Sequence, residues 1–376
     1  MTEIYLIRHA QAEGNLYRMM QGHWDGDVTA LGLRQIEELG RRFENIHIDA
    51  VYSSDLLRAR LTGGVIARVH GLELKTDRRL REINVGPWET GFFADISHET
   101  PELMHKFIAD QENWYLEGAE TYMQVQSRAY EALCDIARAH EGQSVAIASH
   151  GITIRCILSK ISGIPLNDAE ALPVFGNTAV TRLLWRDGEF TVDYMNDCAH
   201  LAALSVPVWG KAAMLRTESF DPATDREYYC ACYEDAWLCA HGSLEGFAPG
   251  PYYRSAVEHY AADKKAVLRV FEGDISAGLI DLDTQRGAHA GYGWISLIYL
   301  KEEYRRRGCG IQLLARAMVH YRALGRKSLR LHVAEDNKAA LEFYRRWGFK
   351  ELSSENNGLG RLVLMEKQLK GAENEN

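Results

Sequence analysis

Hydrophobic positions in the first two hundred residues follow one repeated scheme. A short run that is apolar on both faces ends in polar residues, and a stretch with helical spacing follows. Ile4 to Ile7 leads into Arg8-His9, Val51-Tyr52 into Ser53-Ser54 and then Arg58, and Val145 to Ala148 into Ser149-His150-Gly151. Runs without polar alternation predict strands covered on both sides, and their alternation with helices predicts a parallel α/β sheet. Thr29 reads as an N-cap, with Leu33, Ile36, Gly40 and Phe43 as the inner stripe of the helix behind it. Thr178 to Trp185 and Phe190 to Met195, joined across Arg186-Asp187-Gly188-Glu189, predict a closing hairpin.

The signal weakens after Leu201, and a second α/β pattern starts near Ala212, which sets expected domains at 1–205 and 212–370. Arg226 to His241 reads as a helix and Gly242 to Pro251 as a Gly/Pro loop. Ala266 to Phe271, Gly278 to Leu282 and Trp294 to Leu300 read as successive strands. A helix over Ile311 to Leu324, a strand over Ser328 to Val333 and a helix over Asn337 to Trp347 follow. A polar tail from Lys370 is expected to fray.

Length and charge narrow the classes. A chain of 376 residues can bury two separate cores. A formal net charge of −9 argues against a nucleic-acid partner held by phosphate neutralisation. No apolar run approaches the roughly 18 residues of a membrane span, so no membrane partner is expected. Met1-Thr2-Glu3-Ile4 lacks the basic and apolar regions of a secretory signal. Seven cysteines, an odd number without paired spacing, fit a reducing compartment, and the expected location is the cytoplasm. Cys230-Ala-Cys232 with Cys239-Ala-His241 has an unusual spacing for zinc, and residues two apart on a helix point to different faces.

Chemistry gathers where the strands end. In open α/β sheets, reactive groups sit beyond the carboxyl ends of strands. If the three runs lie side by side, Arg8, His9, Arg58 and His150 converge. Guanidinium forks match phosphate oxygens bidentately and keep their charge, and a neutral imidazole nitrogen can attack phosphorus. The start of the helix after His150 would add N–H groups facing an anion. Glu82, in the loop-like Leu80-Arg81-Glu82-Ile83-Asn84-Val85-Gly86, can reach over the pocket. A carboxyl beside a phosphate dianion is expected to hold its proton, as a general acid must.

Leu6-Ile7-Arg8-His9-Ala10-Gln11-Ala12-Glu13-Gly14-Asn15, Ser53 to Thr62, Glu82 with Gly86 and Trp88-Glu89, and Ser149-His150-Gly151 together resemble the motifs of the histidine phosphatase (phosphoglycerate-mutase-like) superfamily. Ala10 and Ala12 stand where relatives often carry glycine and threonine. The resemblance spans roughly residues 1 to 205 and implies a three-layer α/β/α fold. It implies His9 as phosphorylated nucleophile, with Arg8, Arg58 and His150 holding the phosphoryl group. Glu82 would be proton donor, and Asn15, Gln21 and Gly22 would line the pocket. The implied activity is hydrolysis of a small phosphomonoester without metal; a mutase is the other possibility, which the short stretch after the acid loop disfavours.

A second constellation is Arg305-Arg306-Arg307-Gly308-Cys309-Gly310, between an expected strand and helix. Glycines there let backbone N–H groups approach a pyrophosphate at a helix N-terminus. With Asn337 to Tyr344 and Gly348-Phe349, it resembles the signatures of GNAT acetyltransferases over residues 212 to 368. That implies a mixed sheet with flanking helices that uses acetyl-CoA and an amine acceptor. The resemblance places the pyrophosphate on the amides of Arg305, Arg306, Arg307, Gly308 and Gly310, and Ile298, Leu300 and Asn337 along the pantetheine arm. Tyr344 would protonate the leaving thiolate. Many relatives carry a glutamate as amine base on the preceding strand, but here it reads Trp294-Ile295-Ser296-Leu297-Ile298. A water relay, Asp281 or Glu302 would replace it, or the domain senses acetyl-CoA without turnover.

Overall fold

The apolar runs without alternation become the middle of a sheet. In a computed structural model that describes residues 1–204, 213–356 and 360–369, β1 (Thr2–Arg8), β2 (Ala50–Ser53), β3 (Leu74–Thr76) and β4 (Ser144–Ser149) run parallel in the order β3-β2-β4-β1. The expected hairpin, β5 (Val180–Arg186) and β6 (Glu189–Asp197), adds to β1 antiparallel. Asp187 and Gly188 at its turn both have positive φ, as tight hairpins require.

Helices α1 (Glu13–Tyr17), α2 (Ala30–Phe43), α3 (Leu57–His70), α4 (Phe93–Glu99), α5 (Pro101–Ala109), α6 (Tyr122–Ala139) and α7 (Gly151–Ser162) complete this unit. Successive strand residues face opposite ways. Ile4, Leu6 and Val145 therefore pack against Leu133 of α6 and Ile157 of α7. Tyr5, Ile7 and Val51 pack against Phe43 of α2 and Ile66 of α3. Both faces are covered, giving three layers, and each buried large apolar side chain contributes on the order of 1.5–3 kcal/mol. Thr29 caps α2 by accepting from the Gly32 amide. Leu33, expected on the inner stripe, is 51% exposed. Gly32 takes the inner place instead, so close to the Gln11 carbonyl that a Cβ would lie 2.2 Å from it. Helices α4, α5 and α6, absent from the sequence reading, follow the acid loop and support it with edge-packed rings of Trp88, Phe107, Trp114 and Tyr122.

The chain separates into two compact units, Met1–Val208 and Trp209–Asn376. The expected edges at 205 and 212, and the tail from Lys370, lie outside the described residues. In the second unit, β7 (Arg216–Ser219), β8 (Val267–Glu272), β9 (Ile275–Asp283), β10 (Tyr292–Leu300), β11 (Ser328–Ala334), β12 (Lys350–Asn356) and β13 (Arg361–Gln368) form a sheet in the order β12-β13-β11-β10-β9-β8-β7. Around it lie α8 (Arg226–His241), α9 (Pro249–Ala262), α10 (Gly310–Ala323) and α11 (Lys338–Arg346). The segment read as a loop to Pro251 already belongs to α9 from Pro249, because proline suits a first helical turn, where its missing N–H has no partner to lose.

Two features of β10 matter for function. Its pairing with β9 shifts register between Ile295 and Leu297, a bulge at Ser296. Its parallel pairing with β11 covers only Tyr292, Gly293 and Trp294, whereas pairing with β9 runs on to Leu300. From Ile295 onward β10 thus keeps one sheet neighbour and parts from the other.

Candidate functional site

Parallel pairing puts the ends of β1, β2 and β4 on one edge. The chain stays paired just beyond them: the His9 amide donates to the Ser149 carbonyl at 2.9 Å, and the Ser54 amide to the Ala148 carbonyl at 2.9 Å. That brings the His9 and His150 rings within 5.1 Å, centroid to centroid. Arg8, Arg58 and Glu82 fall in the same pocket, close enough that each acts electrostatically on its neighbours.

His9 is buried, and its Nδ1 lies 2.7 Å from the Ala10 carbonyl. A carbonyl only accepts, so Nδ1 carries the proton and Nε2 keeps a lone pair. Burial, then Arg58 and Arg8, hold this imidazole well below its ordinary value, neutral at pH 7. His150 is fully buried and also held well below, by burial first and then Arg58 and His9. Asn177, which the sequence reading passed over, donates Nδ2 to the His9 carbonyl at 3.0 Å. Asn15 accepts from the Ala12 amide at 3.0 Å, so it shapes the turn after His9.

The arginines are less free than expected. Arg58 donates Nη1 to the Trp24 carbonyl at 2.9 Å and Nη2 to the Gly22 carbonyl at 2.7 Å. Gly22 therefore contributes its carbonyl to Arg58, and at φ +37° a Cβ would lie 2.0 Å from Glu89. Arg8 donates Nη1 to the Phe175 carbonyl. What remains is notable for its chemistry: Arg8 Nε, Arg58 Nε, both ring nitrogens of His150 and Gln21 Oε1 are buried without a hydrogen-bond partner among the described residues. Buried polar atoms are seldom left so, and a cluster dominated by donors and cations suits an anion.

Glu82 occupies the place the sequence reading assigned to the anion. Its carboxylate accepts from the Ile152 amide at 3.2 Å, the Thr153 amide at 3.1 Å and the Thr153 hydroxyl at 3.1 Å, at the start of α7. The helix N-terminus thus holds the carboxylate of the chain's own acid loop. The loop backbone is pinned by Arg128, which donates to the carbonyls of Arg79, Arg81 and Glu82 and pairs with Glu120 at 2.7 Å. Glu89 accepts from the amides of His23 at 2.7 Å and Trp24 at 2.8 Å, fixing the loop whose carbonyls hold Arg58. Neither Arg128 nor Glu120 stands in a motif the eye would pick, since each acts through a loop distant in sequence.

In the second unit a cleft of about 460 Å³ opens along the freed edge of β10. Ile298, Asn337 and Tyr344 line it. Asn337 also caps α11, accepting from the Ala340 amide at 3.0 Å. Burial pushes the Tyr344 hydroxyl above its ordinary value, so it stays protonated. Leu300 lies outside the cleft, and its carbonyl accepts from Arg305 Nε at 2.6 Å. Arg305 is tied further to Asp235 and to Cys239 Sγ at 2.7 Å, and its amide donates to Glu302 at 3.0 Å. Its side chain therefore braces the loop. The amides of Arg306, Arg307 and Gly308 take part in none of the described hydrogen bonds, and Arg306 and Gly308 hold φ of +56° and +77°, which turns the loop. Gly310 packs under Phe343, where a Cβ would meet the ring at 2.9 Å. Glu302 is exposed and outside the cleft, whereas Asp281 lines it. Cys230, Cys232, Cys239 and His241 form no metal-holding group among the described residues.

Comparison with known proteins assigns a family to each unit. The family model described as the histidine phosphatase superfamily (branch 1) matches residues 4–198, and that of the acetyltransferase (GNAT) family matches residues 217–349. A Salmonella choleraesuis protein named probable phosphoglycerate mutase GpmB is 28% identical over 208 residues, 54% of this chain and 96% of its own. The structure of Bacillus stearothermophilus YhfR aligns at a TM-score of 0.52 with 30% identity, over 54% of this chain and all of that one. The chain belongs to the histidine phosphatase superfamily and carries a GNAT-family acetyltransferase domain behind its phosphatase domain.

Proposed function

We propose a bifunctional cytoplasmic enzyme that hydrolyses a small phosphomonoester in its first unit and transfers an acetyl group to an amine in its second. One observation carries the first half: unpartnered donors of Arg8, Arg58 and His150 surround a His9 whose Nε2 has a lone pair. On this reading the phosphoryl group sits among those donors, and His9 Nε2 forms the P–N bond as the P–O bond to the alcohol breaks. Glu82 leaves the α7 amides and gives the departing oxygen its proton, and water then cleaves the phosphohistidine. The seven cysteines are all unpaired, in keeping with a reducing compartment.

The freed edge of β10, the unused loop amides and a buried Tyr344 fit acetyl-CoA, which when bound supplies the acetyl thioester. Ile298 and Asn337 would flank its pantetheine arm, and Tyr344 is placed to give a proton to sulfur.

The named likeness to a phosphoglycerate mutase supports a second reading of the first unit, since the match covers nearly all of that relative and a short chain no longer separates the two activities. Incubation with a labelled phosphomonoester tests both. The expected outcome is acid-labile label on the protein, release of inorganic phosphate and loss of both in His9→Ala. Isomerised phosphoester with little free phosphate would point to the mutase, and a label that survives His9→Ala would move the nucleophile elsewhere.

A further inference from the structure

One part of the cleft is built from three elements that the acetyl-CoA reading leaves without a task. Helix α8 turns Tyr229, Tyr233 and Trp237 into it at four-residue spacing, α9 supplies Tyr252 and His259, and β9 supplies Asp281 and Asp283 from alternate positions of one face. Tyr233 and Tyr252 stack at 4.2 Å. Trp237 is 8% exposed, and its indole Nε1 is buried without an acceptor among the described residues. An aromatic lining with an unmet donor inside a cleft signals a bound molecule more than a filled core.

Among these residues His259 is held as a base is held. Its Nδ1 lies 2.6 Å from Asp281 Oδ1, while Asp281 Oδ2 accepts from the Tyr229 hydroxyl at 2.8 Å. Asp281, 1% exposed, therefore fixes the ring and keeps the Nδ1 proton. Among the described residues Nε2 has only Asp283 Oδ2, at 3.4 Å, a contact long enough for a substrate nitrogen to replace. Tyr344 lines the same cleft and is the group that the acetyl-CoA reading puts beside the departing sulfur. A base and an acid lining one cleft are what attack by an amine on a thioester requires, and β10 offers only Ser296 at its bulge.

We propose that this end of the cleft is the acceptor site, that it takes a primary amine on an aromatic or other apolar body, and that His259 Nε2 receives the amine's proton. The proposal rests on the reading of the second unit as an acetyltransferase. The step balances from the neutral form of His259: an ammonium gives one proton to Nε2 and one to Tyr344 as Tyr344 gives its own to the departing sulfur, the nitrogen lone pair forms the C–N bond as the C–S bond breaks, and the products are amide, thiol and protonated His259, with Tyr344 restored. The groups facing His259 are Asp281 and Asp283 of β9, Tyr229 and Tyr233 of α8, and Arg286, whose guanidinium lies 3.4 Å over the Trp294 ring. The two carboxylates raise His259 to about 9 against the effect of burial, so its neutral, proton-accepting form is a minority at pH 7 and kcat should rise as pH approaches 9.

The test compares phenethylamine with aniline, which is already neutral at pH 7, as acceptors for the full chain with acetyl-CoA, reading thiol release. His259→Gln keeps a donor for Asp281 but takes no proton. Its kcat with phenethylamine should fall on the order of 10²- to 10⁴-fold, with a much smaller loss for aniline and an unchanged rise in melting temperature on adding acetyl-CoA. Equal losses for both amines, or an unchanged kcat, overturn the role of His259. Acetyl-CoA binding with neither amine acetylated overturns the acceptor assignment and leaves the acetyl-CoA reading standing; no binding removes that reading itself. Should His259→Gln not fold, the His259 ring signal of the unaltered chain decides by NMR. Phenethylamine must move it, and a signal that stays in place overturns the proposal.

Discussion

Histidine meets opposite fates in the two units. His9 and His150 are buried beside the Arg58 guanidinium, which adds to the cost of charging them, and both are held neutral at pH 7. His259 is also mostly buried, but two carboxylates outweigh the cost of burial and hold it charged. Burial, reinforced by neighbouring cations, decides the first case, and fixed counter-charge decides the second. The first pocket leaves Arg8 Nε, Arg58 Nε and the His150 ring nitrogens without hydrogen-bond partners among the described residues, so an arriving anion can supply them. The cleft supplies its own anions, so it favours a substrate that brings a proton.

That contrast can be broken in steps. The largest effect is expected at the acid loop. Glu82→Gln can still accept from the α7 amides but has no proton to give, so hydrolysis of an alkyl phosphate should slow by roughly 10²- to 10⁴-fold. Nitrophenyl phosphate, whose leaving group needs no proton, should slow far less. Equal slowing of the two would make Glu82 a structural ligand of α7 and nothing more.

The next test is pH. His9 and His150 sit below their ordinary 6.5, so the stability they contribute as neutral groups is present above that value and lost as pH falls beneath it. His259 sits at about 9, so its contribution is complete below about 6.5 and lost as pH rises through about 9, on the order of 3 kcal/mol at most. Melting temperatures of the full chain should therefore decline on both sides of neutrality. Asp281→Asn should flatten the alkaline side alone, and an alkaline decline that survives it belongs to other groups.

The smallest effect is expected from Gly310→Ala. Its methyl group would press on Phe343 and cost about 1–3 kcal/mol of stability. Acetyl-CoA should still raise the melting temperature. If the rise vanished, the methyl would lie in the ligand's path, not merely against the ring.

Legibility followed the range of the interactions. The three parallel strands, the Thr29 cap, the Asp187-Gly188 turn and both ends of α8 were readable, because each depends on neighbours within a few residues. Leu33 misled because helical spacing gives the width of a stripe but not which edge the close approach of Gly32 selects. Pro249 and Pro251 read as loop residues though they open α9. In the first pocket His9 and His150 were readable, since each directly follows a strand. The seat of Glu82 on α7 was not, because it joins residues about seventy apart. The acceptor end of the cleft was hidden for a similar reason: α8, α9 and β9 each give one or two side chains, and no one segment carries a motif.

The parting of β10 from β11 has a consequence for regulation. A ligand arm laid along that open edge would replace a missing strand, held by backbone groups that read its amides and not what is attached to its far end. Acetyl-CoA and free CoA would then compete for the slot on nearly equal terms. Turnover in the second unit would follow the ratio of the two rather than the abundance of either, coupling acetyl transfer to the acetylation state of the cell's CoA pool.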